Sequence, residues 1–312
     1  MTAVSRGSRL RGRALLGIER HRPWRVFDRP VFVIAAPRSG STALFDLLAA
    51  HPAFVSWPFE AHPAFDKATP PEHSVEQLGR RWPPSYACES LRRDLSRELY
   101  LGRLDARRRS GLPVGRLDRL ALRKVRLLEK TPANVLRVEV LADVFPDAVF
   151  VFLHRDAPAS IGSLIEAWQT PSDAHAAVTL ADGRRVSWMM LAPEGWLDYV
   201  DARIAERAAF QWREGNRVAL DALERLPTAR WTRLSYEAFI ADPRRAVGDV
   251  LDWIGVGRHP RVEAALERMS VPGRTSFSAP RPGKWRDRAD LVEPVLPPLA
   301  DLRFRLGYLP GP

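Results

Sequence analysis

Cysteine is nearly missing from this chain. Cys88 is the one thiol among 312 residues, so no intrachain disulfide can form and a cysteine-built metal centre has no ligand set. That usage fits a reducing, cytoplasmic setting. Long apolar runs are missing too. None approaches the ~20 residues that cross a bilayer. The arginines at 6, 9, 11 and 13 are followed by no apolar segment of the kind a signal peptide carries. No stable membrane insertion and a cytoplasmic location are therefore expected. Lysine is scarce: Lys67, Lys124, Lys130 and Lys284 are the only four, and every other basic residue is arginine. A coding bias toward arginine accounts for the skew. Against it each retained lysine stands out, because an ammonium is a compact, movable charge and a guanidinium is not.

The charge that is present is mostly positive, with a formal net charge of +11. Such a balance favours polyanions, whether nucleic acid, an anionic membrane or a phosphorylated small molecule, and does not choose among them. A 46% hydrophobic and 27% charged chain of this length can bury a full core, which sets aside disordered and fibrous classes. One α/β domain with insertions accounts for the length as well as two domains would.

Residues 31–48 are the most informative stretch: Val-Phe-Val-Ile-Ala-Ala-Pro-Arg-Ser-Gly-Ser-Thr-Ala-Leu-Phe-Asp-Leu-Leu. A β-branched apolar run, a small-residue turn and an amphipathic run follow one another. Strand, tight loop and helix start in that order make an anion cradle, since free N–H groups and the helix dipole meet at the loop. The loop resembles a Walker A phosphate loop with two departures. Ser41 stands where the nucleotide-binding lysine belongs, and Ala35 replaces the first glycine. The bland alternative is a plain Gly/Ser connector. Arg38 argues against it, because a guanidinium in a tight turn needs an anion or solvent.

Further apolar strands are expected at 125–128, 148–153 and 229–234, with helices near 41–50, 86–123, 132–143, 157–169, 197–226, 243–254, 260–269 and 297–307. Proline-rich 57–84 reads as irregular, and 170–195 as a variable connection with a turn at Asp182-Gly183. Strands apolar throughout and separated by helices predict a parallel sheet covered on both faces. Ligands then bind beyond the strand C-termini, so the loops at 36–42, 129–132 and 154–156 should converge. Asp156 suits a helix N-cap and Pro158 a first turn. The run Arg107-Arg108-Arg109 reads as solvated helix surface, with an acceptor or nucleic-acid patch as the other reading.

Arg155 ends the 148–153 strand, and Ser163 lies eight residues on, about two turns into the following helix. Together they can grip one phosphate. In isolation Arg155 would instead pair with Asp156 or a surface carboxylate. Beside the first loop, a ligand with two separated phosphate-like groups explains both elements.

These residues resemble the sulfotransferases that use 3′-phosphoadenosine 5′-phosphosulfate (PAPS). Pro37-Arg38-Ser39-Gly40-Ser41-Thr42 matches that family's 5′-phosphosulfate loop position for position, and Arg155 with Ser163 matches its Arg-x7-Ser element for the 3′-phosphate. Leu128-Glu-Lys-Thr-Pro132 is similar to its lysine-bearing loop, 234–239 (Leu-Ser-Tyr-Glu-Ala-Phe) to its Tyr-Glu segment, and 280–286 (Pro-Arg-Pro-Gly-Lys-Trp-Arg) to its Lys-Trp segment near the cofactor. The matches span residues 31 to 286.

The resemblance implies a three-layer α/β/α fold with a central parallel sheet, P-loop NTPase-like, forming one domain over 30–312. Residues 1–29 would be a basic lead-in, and insertions near 57–127 and 170–195 would shape the acceptor site. It implies metal-independent in-line transfer of a sulfuryl group from PAPS to a hydroxyl or amine of a small-molecule or glycan acceptor. Cofactor contacts would come from Arg38, Ser39, Gly40, Ser41, Thr42, Arg155, Ser163, Tyr236, Lys284 and Trp285. Charge on the oxygen bridging phosphorus and sulfur calls for a cation, Arg38 or Lys130, and the acceptor calls for a base. Glu60 is the candidate base and His62 the alternative. His51 and His154 read as structural, and Trp168, Trp188 and Trp196 as core residues rather than a pocket lining. Two other readings are a P-loop nucleotide kinase, disfavoured by the missing lysine, and a basic nucleic-acid-binding module. The latter has no recognised binding motif and only dispersed basic residues to support it.

Overall fold

Five strands pair in parallel and two more form a separate hairpin. The computed structural model describes residues 26–69, 82–102, 125–172, 175–269 and 281–309. In chain order the strands are β1 (Val31–Ile34), β2 (Phe54–Ser56), β3 (Arg126–Glu129), β4 (Val149–His154), β5 (His175–Thr179), β6 (Arg185–Met189) and β7 (Trp231–Ser235). The sheet order is β2-β3-β1-β4-β7, and β5 pairs with β6 antiparallel. The helices are α1 (Ser41–Ala49), α2 (His62–Ala68), α3 (Glu89–Arg97), α4 (Val138–Val144), α5 (Ala157–Gln169), α6 (Ile204–Glu224), α7 (Tyr236–Ala241), α8 (Pro243–Ile254), α9 (Pro260–Glu267), α10 (Ala289–Val292) and α11 (Ala300–Arg305). This is the three-layer α/β/α arrangement around a parallel sheet that the sequence predicts.

Alternation along β1 and β4 decides how the sheet is covered. Both strands are buried throughout. Val31, Val33, Val149 and Val151 point to one face, where α1 and α8 supply Leu44, Leu48, Val247 and Leu251. Phe32, Ile34, Phe150 and Phe152 point to the other, among residues of α4, α5 and α6. The larger side chains serve the larger layer: Phe32 stacks on Phe150 at 5.7 Å and lies 5.5 Å from Phe145. A strand buried on both sides has no polar face, which is why these segments read as unbroken apolar runs.

Two elements were not expected. β2 is a three-residue edge strand just after His51-Pro52, and only its pairing with β3 makes it a strand. The connection at 170–195 contains the β5–β6 hairpin, turned at Asp182-Gly183, where Asp182 Oδ1 accepts from the Arg184 N–H at 2.9 Å. The hairpin covers a small aromatic core. Trp188 lies 5.3 Å from Trp168 and 5.0 Å from Trp196. Gln211 of α6 accepts from Trp168 Nε1 and donates to the Leu191 carbonyl at 2.8 Å, fastening the hairpin to the helix layer. Trp188 and Trp196 are buried in this core, and half-buried Trp168 packs against it. Helix α6 starts at Ile204 rather than 197 because Trp196–Tyr199 forms its own 3-10 turn. Val26 and Phe27 are buried, and Phe27 bridges Val125. The arginines of the N-terminal lead-in and Arg107-Arg108-Arg109 lie outside the described residues.

Strand order places the site. β1 sits between β3 and β4, with the chain running to opposite sides of it, so its C-terminal end is a topological switch point. The loops after β1, β3 and β4 all open there.

Candidate active site

The loop after β1 turns sharply at Arg38 (φ 68°) and Gly40 (φ 85°). Gly40 is the N-cap of α1, and no side chain caps that helix start. A Cβ at Gly40 would come within 2.5 Å of the Tyr236 ring, so only glycine lets this ring lie against the loop. The Tyr236 ring also carries the Arg155 guanidinium, 4.4 Å from its centroid. Arg155 Nη1 donates to the Arg38 carbonyl at 3.1 Å. Arg38 Nε donates to Ser163 Oγ at 3.1 Å. Residues 38, 40, 155, 163 and 236, drawn from the ends of β1, β4 and β7 and from α5, thus form one continuous contact set.

Arg155 does not pair with its neighbour. Asp156 caps α5 through the Ala157 N–H at 2.8 Å and accepts from Arg303 Nε at 2.9 Å. Burial lowers the pKa of both site guanidiniums. For Arg38 the Glu166 charge opposes this and the Arg155 charge adds to it. For Arg155 the opposition comes from Tyr236, Glu237 and Tyr308. Two desolvated cations side by side favour an anion between them. Ser39 Oγ and Arg155 Nε are buried and have no hydrogen-bond partner among the described residues. With the cradle at Gly40, these groups fit a nucleotide that presents a phosphate at each of two subsites.

The lysine loop completes the other end. Lys130, 4% exposed, donates from Nζ to Thr42 Oγ1 at 3.2 Å and to Glu60 Oε1 at 2.7 Å. Glu60 Oε2 lies 3.1 Å from His62 Nε2. Burial pushes the Glu60 carboxyl up, but the His62 hydrogen bond and the Lys130 charge outweigh it and hold the group at about 2. Below them lies a residue that sequence reading passed over. Glu129 ends β3 fully buried, takes hydrogen bonds from Thr131 Oγ1 and Asn134 Nδ2, and is pushed up to about 7 by burial. Thr131 Oγ1 also accepts the Ala61 N–H at 2.9 Å, tying the Glu60 segment to the lysine loop. A charged residue closing an apolar strand was the available signal.

Lys284 Nζ donates to Glu166 Oε2 at 2.8 Å, and Trp285 packs over Gly162 of α5. His154 is structural: its Nδ1 bonds the Tyr308 hydroxyl, which donates to Glu237, and burial, with Arg233 nearby, lowers it to about 4. Among the described residues no group of three or more His, Cys, Asp or Glu side chains could hold a metal ion. In the same residues no helix is long and apolar enough to cross a membrane.

A model of the sulfotransferase family matches residues 30–260. The chain belongs to the sulfotransferase family. The matched span contains the loop after β1, the lysine loop, Arg155, Ser163 and Tyr236, and it stops before Lys284 and Trp285. Among solved structures, this sulfotransferase is similar to sulfotransferase STF9 from Mycobacterium avium, at 18% identity and a TM-score of 0.51, covering 96% of this chain and 82% of that one. Sulfotransferase STF1 from Mycobacterium tuberculosis H37Rv is similar at 20% identity and a TM-score of 0.49, with 84% and 77% covered. The first likeness supports the fold. No curated protein matches the chain.

Proposed function

We propose that this sulfotransferase takes its sulfuryl group from PAPS and delivers it to a hydroxyl or amine of a small-molecule or glycan acceptor. The observation that carries the reading is the pair of cationic subsites at adjacent strand ends, Arg155 with Ser163 and Tyr236 on one side, and the 38–42 loop with Lys130 on the other. A donor with a 3′-phosphate and a 5′-phosphosulfate needs both. PAPS, when bound, supplies an activated sulfuryl group whose leaving phosphate requires no γ-phosphate reader, which accounts for serine at position 41.

Arg155 and Ser163 hold the 3′ side, and Tyr236 orients Arg155. Backbone N–H groups of 39–42 and the Lys130 charge hold the 5′ side. Arg38 carries a second charge between the subsites. Glu60 removes the acceptor proton, with His62 Nε2 within hydrogen-bond reach to relay it onward. A carboxylate held at about 2 is ionised but weakly basic. An anion that draws Lys130 toward Thr42 also withdraws the ion pair that depresses Glu60, and its basicity rises. Donor binding and base activation are thereby coupled through one ammonium.

Thermal shift with 3′,5′-ADP, with Mg-ATP and with a nucleic-acid duplex tests the reading. Strong stabilisation by 3′,5′-ADP without added metal supports it; a response confined to Mg-ATP or to duplex overturns it. A PAPS-fuelled screen over acceptor classes, read by the mass gain of one sulfuryl group, then identifies the acceptor.

A further inference from the structure

Two of the four lysines stand at the site, and a glutamate holds each. The Lys130–Glu60 pair belongs to the chemistry above; in the Lys284–Glu166 pair the glutamate has no part in it. Glu166 lies three residues beyond Ser163, on the same face of α5. Its Oε2 meets Lys284 Nζ at 2.8 Å, with the two side chains 16% and 26% exposed, so water screens the pair only partly. Packing fixes where the ammonium can reach: Trp285 sits so close to Gly162 that a Cβ there would come within 2.9 Å of it. The Glu166 carboxylate also acts on the Arg38 guanidinium, opposing the effect of its burial. Arg38 in turn bonds Ser163.

A negative side chain is therefore set among Arg38, Ser163 and Lys284, three residues proposed to meet the nucleotide. For a phosphate-binding surface this is a like charge in the wrong place. For the protein alone it compensates half-buried cations that would otherwise repel one another. We propose that Glu166 is the internal counter-ion of the 3′-phosphate subsite, holding Lys284 until a ligand 3′-phosphate takes it over, and so setting how tightly a 3′-phosphorylated nucleotide is retained. This rests on the donor reading given above and extends it to the release of the product.

The test compares the wild-type chain with Glu166→Gln, Glu166→Ala and Glu166→Asp, each titrated calorimetrically with 3′,5′-ADP and with 5′-AMP. Removing the charge is expected to tighten 3′,5′-ADP about tenfold, the scale of one nearby charge, and to slow its dissociation in step. Binding of 5′-AMP should stay within about twofold, since it lacks the phosphate concerned. The aspartate variant keeps the charge and should stay near wild type. Either neutral variant suffices, and its melting temperature without ligand reports whether it is folded. Neutral variants that bind 3′,5′-ADP no tighter than wild type, or that tighten 5′-AMP equally, overturn the counter-ion role. A wild type with no preference for 3′,5′-ADP over 5′-AMP removes the 3′-phosphate subsite itself, and the donor reading with it.

Discussion

Lys130 Nζ lies 2.7 Å from Glu60 Oε1, joining the loop after β3 to the segment that leads into α2. The two residues are 70 positions apart in the chain, and the backbone tie from Ala61 to Thr131 keeps them together. In the proposed chemistry one is the cation and the other the base, so each holds its partner's charge until ligands arrive. Such an arrangement makes sharp demands on mutants.

Glu60→Gln should retain 3′,5′-ADP binding, tightened by release of Lys130 from its ion pair, and lower turnover by about 10²–10⁴-fold, the usual contribution of a positioned base. Calorimetry and a PAPS-coupled mass assay on the same preparation check this. Turnover close to wild type removes Glu60 as the base.

Lys130→Met should move the acid limb of the pH–rate profile upward. The ammonium helps hold Glu60 at about 2, so without it the carboxyl protonates nearer its ordinary range. A lower rate with an unmoved acid limb would show that Lys130 does not tune Glu60.

Arg155→Ala and Arg38→Ala should each weaken 3′,5′-ADP binding by about 10–100-fold, the loss of a charge-assisted contact. Arg155→Ala should also free the Tyr236 ring. A titration with 5′-AMP separates the two, since Arg155 should matter much less when the 3′-phosphate is missing.

Gly40→Ala should abolish nucleotide binding and destabilise the fold by about 1–2 kcal/mol. A left-handed residue acquires a Cβ there, and the Tyr236 ring must move away. Thermal denaturation and calorimetry measure both effects.

Glu129 makes a prediction about stability. Its folded pKa, about 7, is raised above the ordinary value of 4.5. The folded state therefore holds the proton more tightly than the unfolded one, and the associated stability is complete below about pH 4.5 and lost as pH rises through 7. The cost of ionising it is about 3 kcal/mol. Glu129→Gln should raise the melting temperature at pH 8 and have little effect at pH 5. An equal shift at both values would show that the carboxyl is not ionising in the fold.

Much of this was legible in order along the chain. The runs that became β1 and β4 are apolar up to His154 at the end of β4 because both faces are covered, so their character survives without knowledge of their neighbours. The Gly/Ser turn after β1 carries its own conformational demand at Gly40. Ser163 at eight residues from Arg155 follows from strand, cap and helix in succession. β2 could not be read this way, since three residues make a strand only through the partner beside them. Nor could the hairpin at 175–189, whose Trp188 is explained by Trp168 and Trp196 on neighbouring elements rather than by local pattern.

The amino-acid sequence by itself determined the segments that form β1, β3, β4 and β7, the strand-turn-helix order of the 31–48 stretch, and the set of cationic and hydroxyl residues near it, because these depend on periodicity and on contacts within a few residues. Only the tertiary structure decided who meets whom. It turned Arg38 toward Ser163, set Tyr236 against both Gly40 and Arg155, placed buried Glu129 under the lysine loop, and gave each site lysine a glutamate. Those pairings join residues up to 196 positions apart (Gly40 to Tyr236). Their energies depend on burial and on charges brought close by the parallel crossovers, quantities that no local stretch of chain contains.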